Sequence, residues 1–243
     1  MKKEEIQIQD KIFECLYSEN NLDCTSLAFF IHGVGESRHG KSRLTQEFNV
    51  NYCSDDEEYL KYFSFSSFRN DARLIFDKLI EKFSDTIKVT VVGHSYGCFF
   101  ALDLAKRRPE RVTKLVISAP GFPEAILAAR KSNSYPMFNN FSEFYMRLPL
   151  IFSFVLSPSQ LEVAPIHVIR AVLIGQDEGG IEEDFIKGII QPIVILHGEN
   201  DRLISLAENT RMMKNLDKSV LRIIKSAGHC MMLENSQEFN KFM

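Results

Sequence analysis

Val89-Thr90-Val91-Val92-Gly93-His94-Ser95-Tyr96-Gly97 is the stretch that decides how this chain is read. A β-branched run ends at a glycine, which is the pattern of a strand buried on both faces. Residues 97–107 follow with helical composition and stop near Pro109. Between strand and helix lies a G-x-S-x-G, with Ser95 at its centre. Gly93 and Gly97 suit a tight turn where strand and helix approach closely. A serine held at the tip of such a turn has an exposed hydroxyl. The N–H of the next residue, Tyr96, then lies at a helix N-terminus and can face an oxyanion.

A serine hydroxyl is a weak nucleophile at neutral pH and needs a base to take its proton. His229, in Ser226-Ala227-Gly228-His229, follows the apolar run Leu221-Arg222-Ile223-Ile224 and is the candidate. An imidazole in that role needs a carboxylate behind it. Asp201 follows the run Ile193-Val194-Ile195-Leu196 and is favoured, with Glu199 as its rival. The order Ser95, Asp201, His229 along the chain separates this arrangement from other serine-triad architectures. A second oxyanion donor is expected after Leu27-Ala28-Phe29-Phe30-Ile31, where His32-Gly33-Val34-Gly35 supplies the Val34 N–H. Here Gly33 and Gly35 let backbone approach substrate, and His32 organises the turn.

Outward from these motifs, strands and helices alternate, which predicts an α/β fold with a mostly parallel sheet flanked by helices. Strands are expected at 27–31, 89–92, 115–117, 193–196 and 221–224, and helices at 69–83, 97–107, 203–216 and 235–242. Residues 6–17 suggest a short antiparallel hairpin. The stretch 122–188 carries Pro123, Pro136, Pro149, Pro158 and Pro165 among short apolar pieces. It reads as a helical cap inserted into a core formed by 1–121 and 189–243.

Within the 243 residues, 45% hydrophobic content is enough for a real core, and a formal charge of −3 gives no reason to expect a nucleic-acid partner. The five cysteines, Cys15, Cys24, Cys53, Cys98 and Cys230, are odd in number and form no C-x-x-C. That argues against a disulfide framework and a Cys-rich zinc site, so a reducing compartment and no metal are expected. The polar start Met1-Lys2-Lys3-Glu4-Glu5 does not read as a secretory signal. No run reaches membrane-spanning length.

With these residues in hand, the chain resembles the α/β-hydrolase superfamily from about residue 26 onward. Within it the chain is similar to the subgroup of α/β-hydrolase domain-containing protein 8. The phrases that carry this are Phe29-Phe30-Ile31-His32-Gly33-Val34-Gly35, His94-Ser95-Tyr96-Gly97, Val168-Ile169-Arg170-Ala171 and Gly228-His229-Cys230-Met231-Met232-Leu233-Glu234. The resemblance implies a hydrolase without a cofactor, acting on a small-molecule ester or lipid. It also implies a cytoplasmic location, with peripheral membrane contact through the apolar cap segment 148–156 as a further expectation. Residues 36–66 depart from the family pattern: only Arg38-His39-Gly40-Lys41-Ser42 resembles the tail of the usual D-x-x-G-x-G-x-S stretch. A catalytically weak or inactive hydrolase-fold scaffold therefore stands as an alternative. An acyltransferase is another, although the H-x-x-x-x-D motif of some relatives is not matched, since its spacing falls on His229 and Glu234.

Overall fold

The computed structural model describes residues 2–8, 11–17, 26–32, 64–121 and 183–243. A hairpin opens the chain, with β1 (Lys2–Ile8) antiparallel to β2 (Lys11–Tyr17). Five strands then form one parallel sheet in the spatial order β3-β4-β5-β6-β7. They are β3 (Ser26–Ile31), β4 (Lys88–His94), β5 (Val112–Ser118), β6 (Ile193–Gly198) and β7 (Ser219–Ile224). The register runs Ile31 to Gly93, Gly93 to Ile117, Ser118 to Leu196 and Gly198 to Ile224, so the C-terminal ends lie along one edge. In an open parallel sheet that edge is where ligand-handling loops gather.

Alternate strand residues feed two cores, because successive side chains point to opposite faces. Val89, Val91, Leu115, Ile117, Ile193 and Ile195 face the larger core. It is filled by α1 (Phe65–Ile80), α2 (Gly97–Arg107), the one-turn α3 (Glu183–Ile186) and α4 (Leu206–Lys214). Phe76, Leu102, Leu104, Ile186 and Met212 are fully enclosed there. Val92, Val116, Leu196 and Ile224 face a smaller core closed by Met231 of α5 (Met231–Glu234) and Phe239 of α6 (Ser236–Phe239).

Charged pairs fasten α1 to α2. Arg73 grips the buried Asp103 through two bonds of 2.6 Å, and Arg108 reaches Asp77. Such bidentate guanidinium–carboxylate pairs fix orientation as well as contact.

The sequence reading and the structure differ at helix ends. The first helix begins at Phe65 instead of 69, because the Ser64 hydroxyl accepts the Ser67 N–H at 3.2 Å and caps it. The helix expected over 203–216 begins only at Leu206. The N–H groups of Leu203 and Ile204 are occupied by the Asp201 carboxylate at 2.8 and 3.0 Å, and Ser205 provides the cap. The helix expected over 235–242 divides into α6 and a 3₁₀ turn, Asn240–Phe242. An unforeseen turn, α5, precedes it. The cap reading falls almost wholly on 122–182, outside the described residues. Residues 183–188 are described, and Lys106 of α2 bonds the Lys187 carbonyl at 3.2 Å.

Candidate active site at the C-terminal ends of β4, β6 and β7

Ser95 stands where β4 turns into α2, with φ of 50°. That left-handed backbone is unfavourable for a residue with a Cβ, and persists only where the surroundings over-determine it. Two bonds fix the turn here: Ser95 N–H donates to the Ser118 carbonyl at 2.9 Å, and Cys98 N–H to the Ser95 carbonyl at 3.0 Å. The flanking glycines are required by close approach. A Cβ on Gly97 would lie 2.4 Å from the Ile31 carbonyl oxygen and 2.6 Å from that of His32. A Cβ on Gly93 would lie 2.7 Å from Cys98 Cα. The start of α2 is thus pressed against the end of β3, where His32 is exposed. Val34, Gly33 and Gly35 lie outside the described residues.

Asp201 and His229 come together from the loops after β6 and β7. His229 Nδ1 is 3.0 Å from Asp201 Oδ2, with 8% of the imidazole side chain exposed and none of the carboxylate. A carboxylate can only accept, so the ring carries a proton on Nδ1 and presents Nε2 outward as an acceptor when neutral. Burial alone would raise the Asp201 pKa. The hydrogen bond and charge of His229, then the N–H groups of Ile204 and Leu203, outweigh it and hold the carboxyl below its ordinary value. The rival Glu199 is turned elsewhere, to Lys225 at 2.7 Å and the Ser226 N–H at 3.0 Å. Asn200 N–H donates to the Ala227 carbonyl at 2.8 Å, so backbone as well as side chains joins the two loops.

Three contacts were not anticipated from the sequence. His94, the residue before Ser95, is buried and donates from Nε2 to the His229 carbonyl at 3.0 Å. Its ring centroid lies 4.9 Å from that of His229, so the loop after β7 rests against the serine turn. His197, at the end of β6, is also buried. Burial lowers its pKa, the Asp201 charge offsets part of that, and His229 adds to the lowering. Glu234 accepts the N–H groups of Gly228 and Cys230. Residue spacing alone held one signal for these contacts, the carboxylate five positions after His229.

Tyr96 packs its ring against Phe65, Phe99 and Phe100 at centroid distances of 6.0, 5.9 and 5.1 Å. Burial pushes its phenol above the ordinary value. The side chain therefore anchors the turn, leaving only the backbone of Tyr96 to face the sheet edge. Among the described residues, no cluster of three or more His, Cys, Asp or Glu is placed to hold a metal ion. No helix among them is long and apolar enough to cross a membrane.

A serine in a strained strand-to-helix turn, with a carboxylate and an imidazole on the loops after two later parallel strands, is an arrangement that recurs in one large family. A sequence profile of that family, the alpha/beta hydrolase family, matches residues 32–242. The chain belongs to the alpha/beta hydrolase family. Among its relatives, Protein ABHD8 of Mus musculus is 24% identical over 98% of this chain and 58% of that protein. The chain therefore spans little more than half the length of that relative. Among solved structures, MenH from S. aureus superimposes with a TM-score of 0.62 at 21% identity, over 92% of this chain and 94% of that one. An alpha/beta fold family hydrolase from Bacillus anthracis str. Sterne gives 0.63 at 17% identity, over 99% and 97%. At such identities these likenesses establish the alpha/beta hydrolase fold.

Proposed function

We propose that this chain is a serine hydrolase that cleaves a carboxylic ester through an acyl-enzyme. Ser95 is the nucleophile, His229 the base and Asp201 the carboxylate that orients it. The observation that carries this is the 3.0 Å contact between Asp201 and His229, on a loop that His94 ties to the Ser95 turn.

In this reading His229 Nε2 takes the Ser95 proton as Oγ attacks the ester carbonyl. The N–H groups of Tyr96 and Val34 receive the oxyanion of the tetrahedral intermediate. His229 then gives its proton to the leaving alcohol, and the C–O bond breaks. Water, deprotonated by the same imidazole, attacks the acyl-enzyme and releases the acid and free Ser95. Serine rather than aspartate as nucleophile favours acyl chemistry over alkyl-ester intermediates. The apolar segment 148–156 supports a lipid or acylglycerol ester as substrate. Buried thiols at Cys98 and Cys230 fit a reducing, cytoplasmic setting.

The test is labelling by a fluorophosphonate probe. Wild-type protein is expected to label at Ser95, and Ser95→Ala to abolish the label. A series of p-nitrophenyl esters of increasing chain length reads the acyl preference, with long chains supporting the lipid substrate. A folded wild-type protein that does not label would replace this reading with a scaffold built on the hydrolase fold, which the departure of residues 36–66 from the family pattern favours.

A further inference from the structure

The tail after β7 holds a carboxylate that the reaction above does not use. Glu234 Oε2 accepts the Gly228 N–H at 2.7 Å, and Oε1 accepts the Cys230 N–H at 3.1 Å. These two donors flank His229 on either side. Between them, the His229 carbonyl accepts from His94 Nε2 at 3.0 Å. Three successive backbone groups around one imidazole are thus held by side chains from outside the loop. N–H groups just ahead of a one-turn helix have no acceptor within that helix. A carboxylate bridging both makes charge-assisted bonds, which are shorter and stronger than neutral ones.

We propose that Glu234 is a positioning residue for His229. It bridges the backbone on both sides of the imidazole and so fixes where Nε2 stands relative to Ser95. Asp201 sets the ring's tautomer and its tilt about the side chain, whereas Glu234 sets the path of the chain that carries the ring. Neither task substitutes for the other. Proton transfer falls off steeply when the accepting atom is misplaced by an ångström. An acceptor spanning Gly228 and Cys230 limits that displacement. Glu234→Gln keeps the size of the side chain, but its amide nitrogen cannot accept, so one of the two bonds is lost. Glu234→Ala loses both.

The proposal rests on the serine-hydrolase reading, and the experiment separates the two. Full-length wild type, E234Q and E234A are compared for the rate of fluorophosphonate labelling at Ser95, for kcat and KM on one p-nitrophenyl ester, and for urea unfolding. The expected order of labelling rate and of kcat is wild type, then E234Q, then E234A, with a total loss of about ten- to a hundredfold and KM unchanged within about twofold. A role confined to holding the tail would lower the unfolding midpoint and leave kcat per folded molecule unchanged, which overturns the proposal. Should E234A not fold, E234Q carries the test, and wild-type labelling by E234Q overturns it. A wild type that fails to label removes the hydrolase reading and the proposal with it. A wild type that labels, beside variants that label equally fast, removes the proposal alone.

Discussion

Replacing Asp201 by asparagine changes few atoms and makes a sharp prediction. Asp201 Oδ1 accepts the N–H groups of Leu203 and Ile204 at 2.8 and 3.0 Å. An asparagine keeps those two bonds only by placing its amide oxygen there. Its NH₂ then faces His229 Nδ1, 3.0 Å away in the wild type. Two donors cannot share that contact, so the ring must move its proton to Nε2 and accept on Nδ1. In the proposed mechanism Nε2 takes the Ser95 proton, and in this tautomer it is already occupied. Losing the correct tautomer in a serine triad costs about 10⁴ in kcat, or about 5.4 kcal/mol at 1.36 kcal/mol per tenfold. The fold should lose the charge component of the three bonds to this carboxylate, on the order of 1.5–3 kcal/mol, the worth of one bond to a charged group. The assay is kcat/KM on a p-nitrophenyl ester beside urea unfolding, with Glu199→Gln as control. If Asp201→Asn stays within about tenfold of wild type while Glu199→Gln collapses, the carboxylate has been assigned to the wrong residue.

Other expectations follow from the same geometry. Ser95→Gly should abolish labelling yet raise stability by about 1 kcal/mol in urea, because glycine accepts a φ of 50° without strain; Ser95→Ala, which keeps a Cβ, should show no such gain. Gly198→Ala would set a Cβ 2.0 Å from the Gly228 carbonyl oxygen and 2.8 Å from that of Ala227. Both obstacles are backbone, so the loops after β6 and β7 must separate. Thermal unfolding should show a loss of about 3 kcal/mol, and labelling should slow beyond what the folded fraction explains. The Asp201 carboxyl has a lowered pKa in the folded state, so its contribution to stability is complete above the unfolded value of about 3.9 and is lost as pH falls through the folded value. The difference in urea midpoint between wild type and Asp201→Asn should therefore shrink from pH 6 to pH 3; a difference that widens on acidification contradicts the assignment.

The parallel sheet was legible because its central strands are largely buried and announce themselves as apolar runs, as at 89–92 and 193–196. The joining of Asp201 to His229 was legible for a different reason. Each follows such a run, and parallel neighbours carry the loops after their ends to the same edge. Helix limits were less legible, because they depend on which side chain takes the first free N–H groups. Nothing in the composition of 203–205 reveals that Asp201 occupies two of them. The roles of His94 and Glu234 were hidden for a similar reason. Both act on backbone groups of the loop after β7, and such bonds leave no periodic trace in the sequence. Glu234 was visible only as a glutamate at the spacing where the acyltransferase pattern has aspartate. The three-dimensional arrangement gives that same position an occupation.

The sheet's order has a consequence for the growing chain. Its strands lie side by side in the order in which they are made, so the β4–Ser95–α2 corner can pair and pack while β6 and β7 are still being synthesised. The imidazole comes from beyond the last strand. Under the proposed triad, the serine of the nascent polypeptide would have no proton acceptor until that strand docks. Acyl chemistry would then begin only with the finished sheet.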